Sequence, residues 1–214
     1  MCVLLRFSRS KSKGAVRAIF VASLVICGTV LAISTVRADA QLPRTATAQA
    51  SRSLEALGRP TIVGNGYTNS YHKASTTTLE VGFTKYSRGF QMTSTACWSA
   101  SGCARRVNYT WKVPSSYRFL KGAVGYDLTN SCAGSTVRFL GNGGAALRFK
   151  SGNGKVVEQI VVPAVGAAQI DVDFAGNSVL TIQLALGFAP PAYHSGSCGG
   201  ELNSAIDVVN DQLS

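Results

Sequence analysis

Apolar and polar residues alternate with a period of two along short segments of the chain. The alternation is clearest in residues 108–113, 137–140 and 146–150, and it returns in residues 170–174 and 179–184. Successive side chains of a β-strand point to opposite faces of a sheet, so each segment predicts a strand with one buried and one solvated face. Together these segments predict an all-β domain.

Turn-forming residues separate the predicted strands at intervals of about ten residues. Clusters of glycine and asparagine lie at residues 141–144, 151–154 and 176–177. Short strands joined by regular turns are typical of an antiparallel β-sandwich, in which two half-buried sheets enclose one core. Residues 156–162, which are β-branched and nearly all apolar, predict a further strand, and helical structure is predicted only around residues 53–57 and near residues 200–206.

The first forty residues have the three parts of a secretory signal peptide. Basic residues such as Arg6 and Lys13 come first, residues 18–36 carry no charge, and Ala38 and Ala40 form the small-x-small motif of a cleavage site. We predict cleavage after Ala40 and a secreted or extracellular location. The alternative is an uncleaved membrane anchor, because residues 18–36 are just long enough to span the hydrocarbon layer of a bilayer.

The chain that remains has two predicted parts. Residues 41–60 are rich in alanine, threonine, serine and arginine, with little apolar periodicity, and predict a linker or a loose N-terminal arm. Residues 61–214 have the usual size of one domain with a single core. We therefore place the β-sandwich in residues 61–214.

Four cysteines remain after the predicted cleavage, namely Cys97, Cys103, Cys132 and Cys198. An even number of cysteines in an oxidising compartment predicts two disulfide bonds. Four cysteines allow three pairings; we favour Cys97 with Cys103, which closes a short loop, and Cys132 with Cys198. Neither their spacing nor the position of the two histidines matches a zinc site.

The charge of the chain argues against one class of partner. The formal net charge of +11 falls to +6 without residues 1–40, which hold six of the 21 basic and one of the ten acidic residues. The remaining cations are scattered apart from Arg105 and Arg106, and no stripe of cations and aromatics predicts a nucleic-acid surface. We expect only a weak attraction to anionic polymers of a cell surface.

The sequence contains no recognisable catalytic motif. It lacks the Gly-x-Ser-x-Gly nucleophile elbow, the His-Glu-x-x-His metal motif and a glycine loop that precedes a helix. Asp171 and Asp173 share one face of a predicted strand, but they alternate with apolar residues and predict a solvated strand face rather than the acid pair of a glycosidase. We predict that the protein is not an enzyme.

Four segments in order carry a family resemblance. They are residues 88–90, residues 117–127, residues 135–144 and residues 165–184. They resemble the NPCBM family of carbohydrate-binding modules, whose members form a galactose-binding-like jelly roll. The resemblance implies this form of β-sandwich and a carbohydrate ligand. The C-terminal residues depart from the family pattern, and the cysteines and residues 94–106 are additions to it.

Aromatic residues in predicted loops are the candidate sugar-binding residues. A ring stacks on the apolar face of a pyranose, while nearby polar groups bond its hydroxyls. The candidates are Trp98, Tyr67, Tyr71, Tyr193 and His194. Trp98 ranks first because it lies in the loop between Cys97 and Cys103; the alternative is that it packs on the sandwich as a plug. The alternative for Tyr67 and Tyr71 is that they are ordinary surface tyrosines of an entry strand, and the same alternative applies to Tyr193 with His194. Trp111 alternates within a strand and is predicted to be a core residue.

We predict no cofactor, and calcium is the one ion that the sequence leaves open. Asp127 follows a predicted strand, and jelly rolls often hold calcium with loop carboxylates. The sequence thus predicts a secreted, non-catalytic module that binds a glycan, for example a cell-wall polysaccharide. The alternative is a secreted structural or protein-interaction β-sandwich that has no sugar site.

Overall fold

A computed structural model describes residues 51–64, 68–97, 106–187 and 201–214, all of them within one compact unit, Thr47–Ser214. In these residues fourteen β-strands form two large sheets and one small hairpin. The strands are β1 (Thr61–Gly64), β2 (Thr68–Lys73), β3 (Leu79–Val81), β4 (Thr84–Tyr86), β5 (Gly89–Cys97), β6 (Arg106–Lys112), β7 (Phe119–Tyr126), β8 (Ser135–Leu140), β9 (Arg148–Lys150), β10 (Val156–Val157), β11 (Gln159–Val161), β12 (Ala167–Asp173), β13 (Val179–Leu186) and β14 (Glu201–Leu213). Two short 3₁₀ turns lie at Glu55–Leu57 and Asn142–Gly144.

The two large sheets are antiparallel and share one core. The five-stranded sheet has the order β1-β6-β13-β8-β11, and the seven-stranded sheet has the order β10-β9-β12-β7-β14-β5-β2. All strand pairings described in the two sheets are antiparallel. The all-β class and the sandwich-like arrangement predicted from the alternating pattern are therefore confirmed.

The core consists of the apolar strand faces that the period-two pattern predicts. Trp111 on β6, Val172 on β12 and Ile182 on β13 are almost completely buried. The Phe90 and Trp111 rings lie 5.3 Å apart, so β5 and β6 contact each other across the two sheets. Each large apolar side chain buried in this way contributes about 1.5 to 3 kcal/mol. The prediction that Trp111 is a core residue is confirmed.

The apolar run at residues 156–162 forms two strands instead of the single predicted one. β10 pairs with β9 in the seven-stranded sheet, whereas β11 pairs with β8 in the five-stranded sheet. The chain thus crosses from one sheet to the other between them. The exposed Glu158 and Gln159 lie at this crossing, but two polar residues within an otherwise apolar run do not by themselves predict that the strand is divided.

The predicted helix near residues 200–206 is wrong, because these residues begin the long strand β14. This strand lies between β5 and β7, and its pairing with β7 shifts register between Val209 and Gln212, which indicates a β-bulge. Ile206 and Val208 face the core, and Asp207 and Val209 on the other face are also buried. Burial of both faces removes the alternation by which a strand is recognised.

The N-terminal segment belongs to the packed domain from Arg52 onward. Leu54 is completely buried, its N–H donates to a carboxylate oxygen of Asp211 at 2.5 Å, and Arg52 forms a β-bridge with Leu213. The helical turn predicted around residues 53–57 is present as a 3₁₀ turn. Residues 41–50 of the predicted arm and the predicted signal peptide lie outside the described residues. In the part of the chain that is described, no helix is long and apolar enough to cross a membrane.

Candidate functional site

Most of the predicted sugar-binding residues lie outside the described residues. These are Trp98, Tyr67, Tyr193 and His194. Among the cysteines, the same is true of Cys103, Cys198 and the side chain of Cys97. The roles assigned to these residues and the disulfide pairing stay predictions.

Tyr71 is the one predicted sugar-binding residue that is described, and it lies in the core. Its side chain is 4 % exposed, with ring centroids 5.4 Å from Phe90 and 5.9 Å from Trp111. Burial raises the pKa of the Tyr71 hydroxyl, which has no hydrogen-bond partner among the described residues. A ring held between two aromatic neighbours does not offer a face to a sugar.

A groove of about 550 Å³ lies on the outer face of the seven-stranded sheet. Its floor includes Lys121 of β7 together with Gln169 and Asp171 of β12. Tyr86 of the β3–β4 hairpin and Gly152 of the β9–β10 turn line its flanks. We call this concave surface the outer groove; its lining combines hydrogen-bonding groups with one aromatic ring.

An adjoining depression of about 460 Å³ is lined by residues of β7, β9 and β12. At its edge, Arg118 donates to both carboxylate oxygens of Asp173, at 2.9 and 3.3 Å. The hydrogen bonds from Arg118 and from the Ala175 N–H hold the pKa of Asp173 below its ordinary value. Asp173 is therefore a fixed anion in this depression and not a proton donor.

Asp171 lies between the outer groove and the depression. Its carboxylate is 3.9 Å from the Lys150 ammonium, and in the strand register it faces Lys121 on β7. Asp171 and Asp173 are both partly exposed on the outer face of β12, as the alternating pattern predicts. Because both project from one strand and each has a cationic neighbour, they do not face each other across a cleft.

The β3–β4 hairpin forms a raised wall because its apolar side packs on the sheet. Leu79 and Val81 contact Val209 of β14, and Ala123 of β7 packs against the same cluster. Gly125 permits this close approach, since a Cβ at that position would collide with the Val81 side chain and lie 2.7 Å from the Gly166 oxygen. The absence of a side chain at Gly125 thus lets the hairpin pack closely on the sheet beside the outer groove.

A cluster of buried polar residues connects the β3–β4 hairpin to the sheet by hydrogen bonds. The Gln91 side-chain amide donates to Asp207 at 2.9 Å and to Asp127 at 3.0 Å, and the Glu80 N–H of β3 donates to Asp207 at 2.6 Å. Asp207 is completely buried, and this burial raises its pKa to about 7. The hydrogen bond to Glu80 links the hairpin to β14 by a contact that the sequence pattern does not predict.

Asp127, the candidate calcium ligand, is occupied by hydrogen-bond donors. Its carboxylate accepts from the Thr129 N–H at 3.0 Å, from the Asn130 amide at 2.7 Å and from the Gln91 amide. A carboxylate surrounded by N–H groups presents few lone pairs to a cation. Across the described residues, no group of three or more His, Cys, Asp or Glu side chains could hold a metal ion.

Sequence reasoning missed the residues that line the outer groove. Lys121 and Gln169 appear in the sequence only as polar positions of predicted strands, which most β-sandwiches have, and Gln212 lies in a segment without clean alternation. Tyr86 lies in a short hairpin that the pattern did not identify. These residues line one concave surface only because the hairpin packs beside the sheet in three dimensions.

No family model, no curated protein and no solved structure matches the chain.

Proposed function

We propose that the protein is a secreted, non-catalytic module that binds a glycan, for example a cell-wall polysaccharide, in the outer groove. The observation that carries the proposal is the lining itself, in which Tyr86 flanks a floor with Gln169, Gln212, Lys121 and Asp171. An aromatic ring beside amide, ammonium and carboxylate groups provides the stacking and the hydrogen bonds by which proteins bind sugars.

The resemblance to the NPCBM family supports the same proposal and adds a jelly-roll topology to it. Two antiparallel sheets around one core are compatible with that topology. Export after cleavage behind Ala40 would deliver the domain to the compartment where such polysaccharides occur. The predicted loop residue Trp98 is the second aromatic residue that we propose for the ligand.

A polysaccharide array tests the proposal directly. The protein with Gln169→Ala and Gln212→Ala loses two exposed hydrogen-bonding groups of the groove, and the control Gln159→Ala loses one from the edge strand β11 of the other sheet. We expect the wild-type protein to bind a polysaccharide. The groove variant is expected to bind it with about tenfold lower affinity, which is the effect of losing one or two hydrogen bonds, and the control is expected to bind it with unchanged affinity. The same array with Trp98→Ala, with and without calcium, tests the loop residue and the ion.

One observation favours the alternative of a protein-interaction domain. Phe83 at the tip of the β3–β4 hairpin is 71 % exposed, and Val165 is 45 % exposed. Gly82 and Gly166, which adjoin these two residues, approach closely enough that a Cβ on Gly82 would lie 2.6 Å from the Gly166 nitrogen. An exposed apolar pair of this kind fits a protein partner. Absence of binding to every polysaccharide, with the fold intact, would favour this function.

A further inference from the structure

The outer groove and the adjoining depression carry more positive than negative charge. Their lining contains four cations and two carboxylates: Arg118, Lys121, Arg148, Lys150, Asp171 and Asp173. These side chains alternate in sign from strand to strand, since Asp171 faces Lys121 on β7 and Asp173 faces Arg148 on β9. The net charge of the combined surface is thus positive.

Two of the four cations are already engaged. Arg118 forms its paired contact with Asp173 and lies over the Phe119 ring, 4.9 Å from the centroid. Lys150 lies within ion-pair distance of Asp171. The other two, Lys121 and Arg148, form no ion pair with any described residue, and both are exposed. They are the cations left for a ligand.

The distribution of acids over the molecule strengthens this positive character. Residues 41–214 contain nine acidic residues, but Asp127, Asp207 and Asp211 are 5 % exposed or less. In contrast, the basic residues in the described ranges are all exposed or partly exposed. The surface is therefore more basic than the net charge of +6 suggests, which favours an anionic partner.

We propose that the ligand of the outer groove is an acidic polysaccharide that extends into the adjoining depression, and that its carboxylate or sulfate groups bind Lys121 and Arg148. This inference rests on the proposed glycan-binding function. β7 and β9 flank β12, so the two cations lie on strands about 9.5 Å apart, two strand spacings. An extended polymer with an anion on successive sugars reaches both, and the arginine binds a carboxylate or sulfate with two parallel hydrogen bonds.

The test compares polygalacturonic acid with its methyl ester, which has the same backbone without the charge. Dextran sulfate, which carries sulfate groups and no carboxylates, forms a second arm and separates sulfate from carboxylate recognition. The cation variant is Lys121→Gln with Arg148→Gln. The matched control is Arg106→Gln with Lys112→Gln on β6 of the other sheet, which removes the same charge. All four residues are exposed, and circular dichroism verifies that each variant is folded.

We expect the protein to bind an acidic polymer with about tenfold or higher affinity than the methyl ester, because charged hydrogen bonds are stronger than neutral ones. The cation variant is expected to lose this preference. The control variant keeps it. Equal affinity for the acid and the ester, or an equal loss of the preference in the cation variant and its control, overturns the proposal of an acidic ligand. In that event, weaker binding of neutral polymers by the variant with Gln169→Ala and Gln212→Ala would still support the glycan-binding function. Binding of no polymer at all contradicts both.

Discussion

Asp207 links the hydrogen-bond cluster under the hairpin to the stability of the protein. Burial raises its pKa from 3.8 to about 7, so the folded protein holds the Asp207 proton more tightly than the unfolded chain does. The contribution of this group to the free energy of unfolding is therefore largest at low pH. It decreases as the pH rises from about 4 to about 7 and is constant above that. Asp211, with its pKa raised to about 6, adds a dependence of the same sign.

Substitution of Asp207 by Asn is expected to flatten this pH dependence. The variant has no charge to desolvate, so the difference in unfolding free energy between pH 5 and pH 8 becomes smaller by up to about 3 kcal/mol. Urea unfolding at the two pH values measures it. Asp173→Asn is the control, because the lowered pKa of Asp173 keeps that group ionised throughout this range. An undiminished slope in Asp207→Asn would show that the bonds from Gln91 and Glu80 keep Asp207 ionised.

The residues of the candidate site show where sequence reasoning reaches its limit. The alternating pattern placed Asp171 and Trp111 correctly, because burial of one strand face is a local property of the sequence. Tyr71 was predicted to lie in a ligand site because polar residues surround it in sequence. In the structure its strand pairs with β5, and the ring enters the core beside Phe90. That position depends on a long-range pairing that residue types do not encode locally.

At the scale of elements, the strands with one solvated face were predictable and the others were not. β6, β12 and β13 each bury alternate residues, as their sequences predict. β14 is covered by the core on one face and by the hairpin on the other, so it shows no clean alternation. A strand whose two faces are both buried needs the tertiary structure to be recognised.

The segment around the 3₁₀ turn Glu55–Leu57 is an element whose contribution can be measured. Leu54 is completely buried within the main core, so Leu54→Ala is expected to lower the free energy of unfolding by about 2 to 5 kcal/mol. Ala56→Ser, at an exposed neighbouring position, is expected to change it by less than about 0.5 kcal/mol. Denaturant unfolding of both variants provides the measurement. A decrease in the free energy of unfolding of well under about 2 kcal/mol for Leu54→Ala would mean that this segment contributes little to stability and detaches from β14 at a small free-energy cost.

At the scale of the whole molecule, the backbones of two cysteines, Cys97 and Cys132, lie near the start of β14. Cys97 is paired with Glu201 across β5 and β14, and the Cys132 N–H donates to the Asn203 oxygen at 2.6 Å. Cys198 precedes Glu201 by three positions in the chain. A disulfide between Cys132 and Cys198 would join the loop after β7 to the chain just before β14, the strand that lies between β5 and β7 in the seven-stranded sheet.

Export and oxidation therefore predict one covalent form of the protein. We expect protein purified from the culture medium to begin at Gln41 and to react with a thiol reagent only after reduction, at four cysteines. Peptide mapping without reduction is expected to give Cys97–Cys103 and Cys132–Cys198. Since the Cys132–Cys198 bond closes a long loop, Cys132→Ser with Cys198→Ser is expected to lower stability by about 2 to 5 kcal/mol. Recovery of the uncleaved chain in the membrane fraction would instead identify residues 18–36 as an anchor, and a Cys97–Cys198 bond would contradict the pairing.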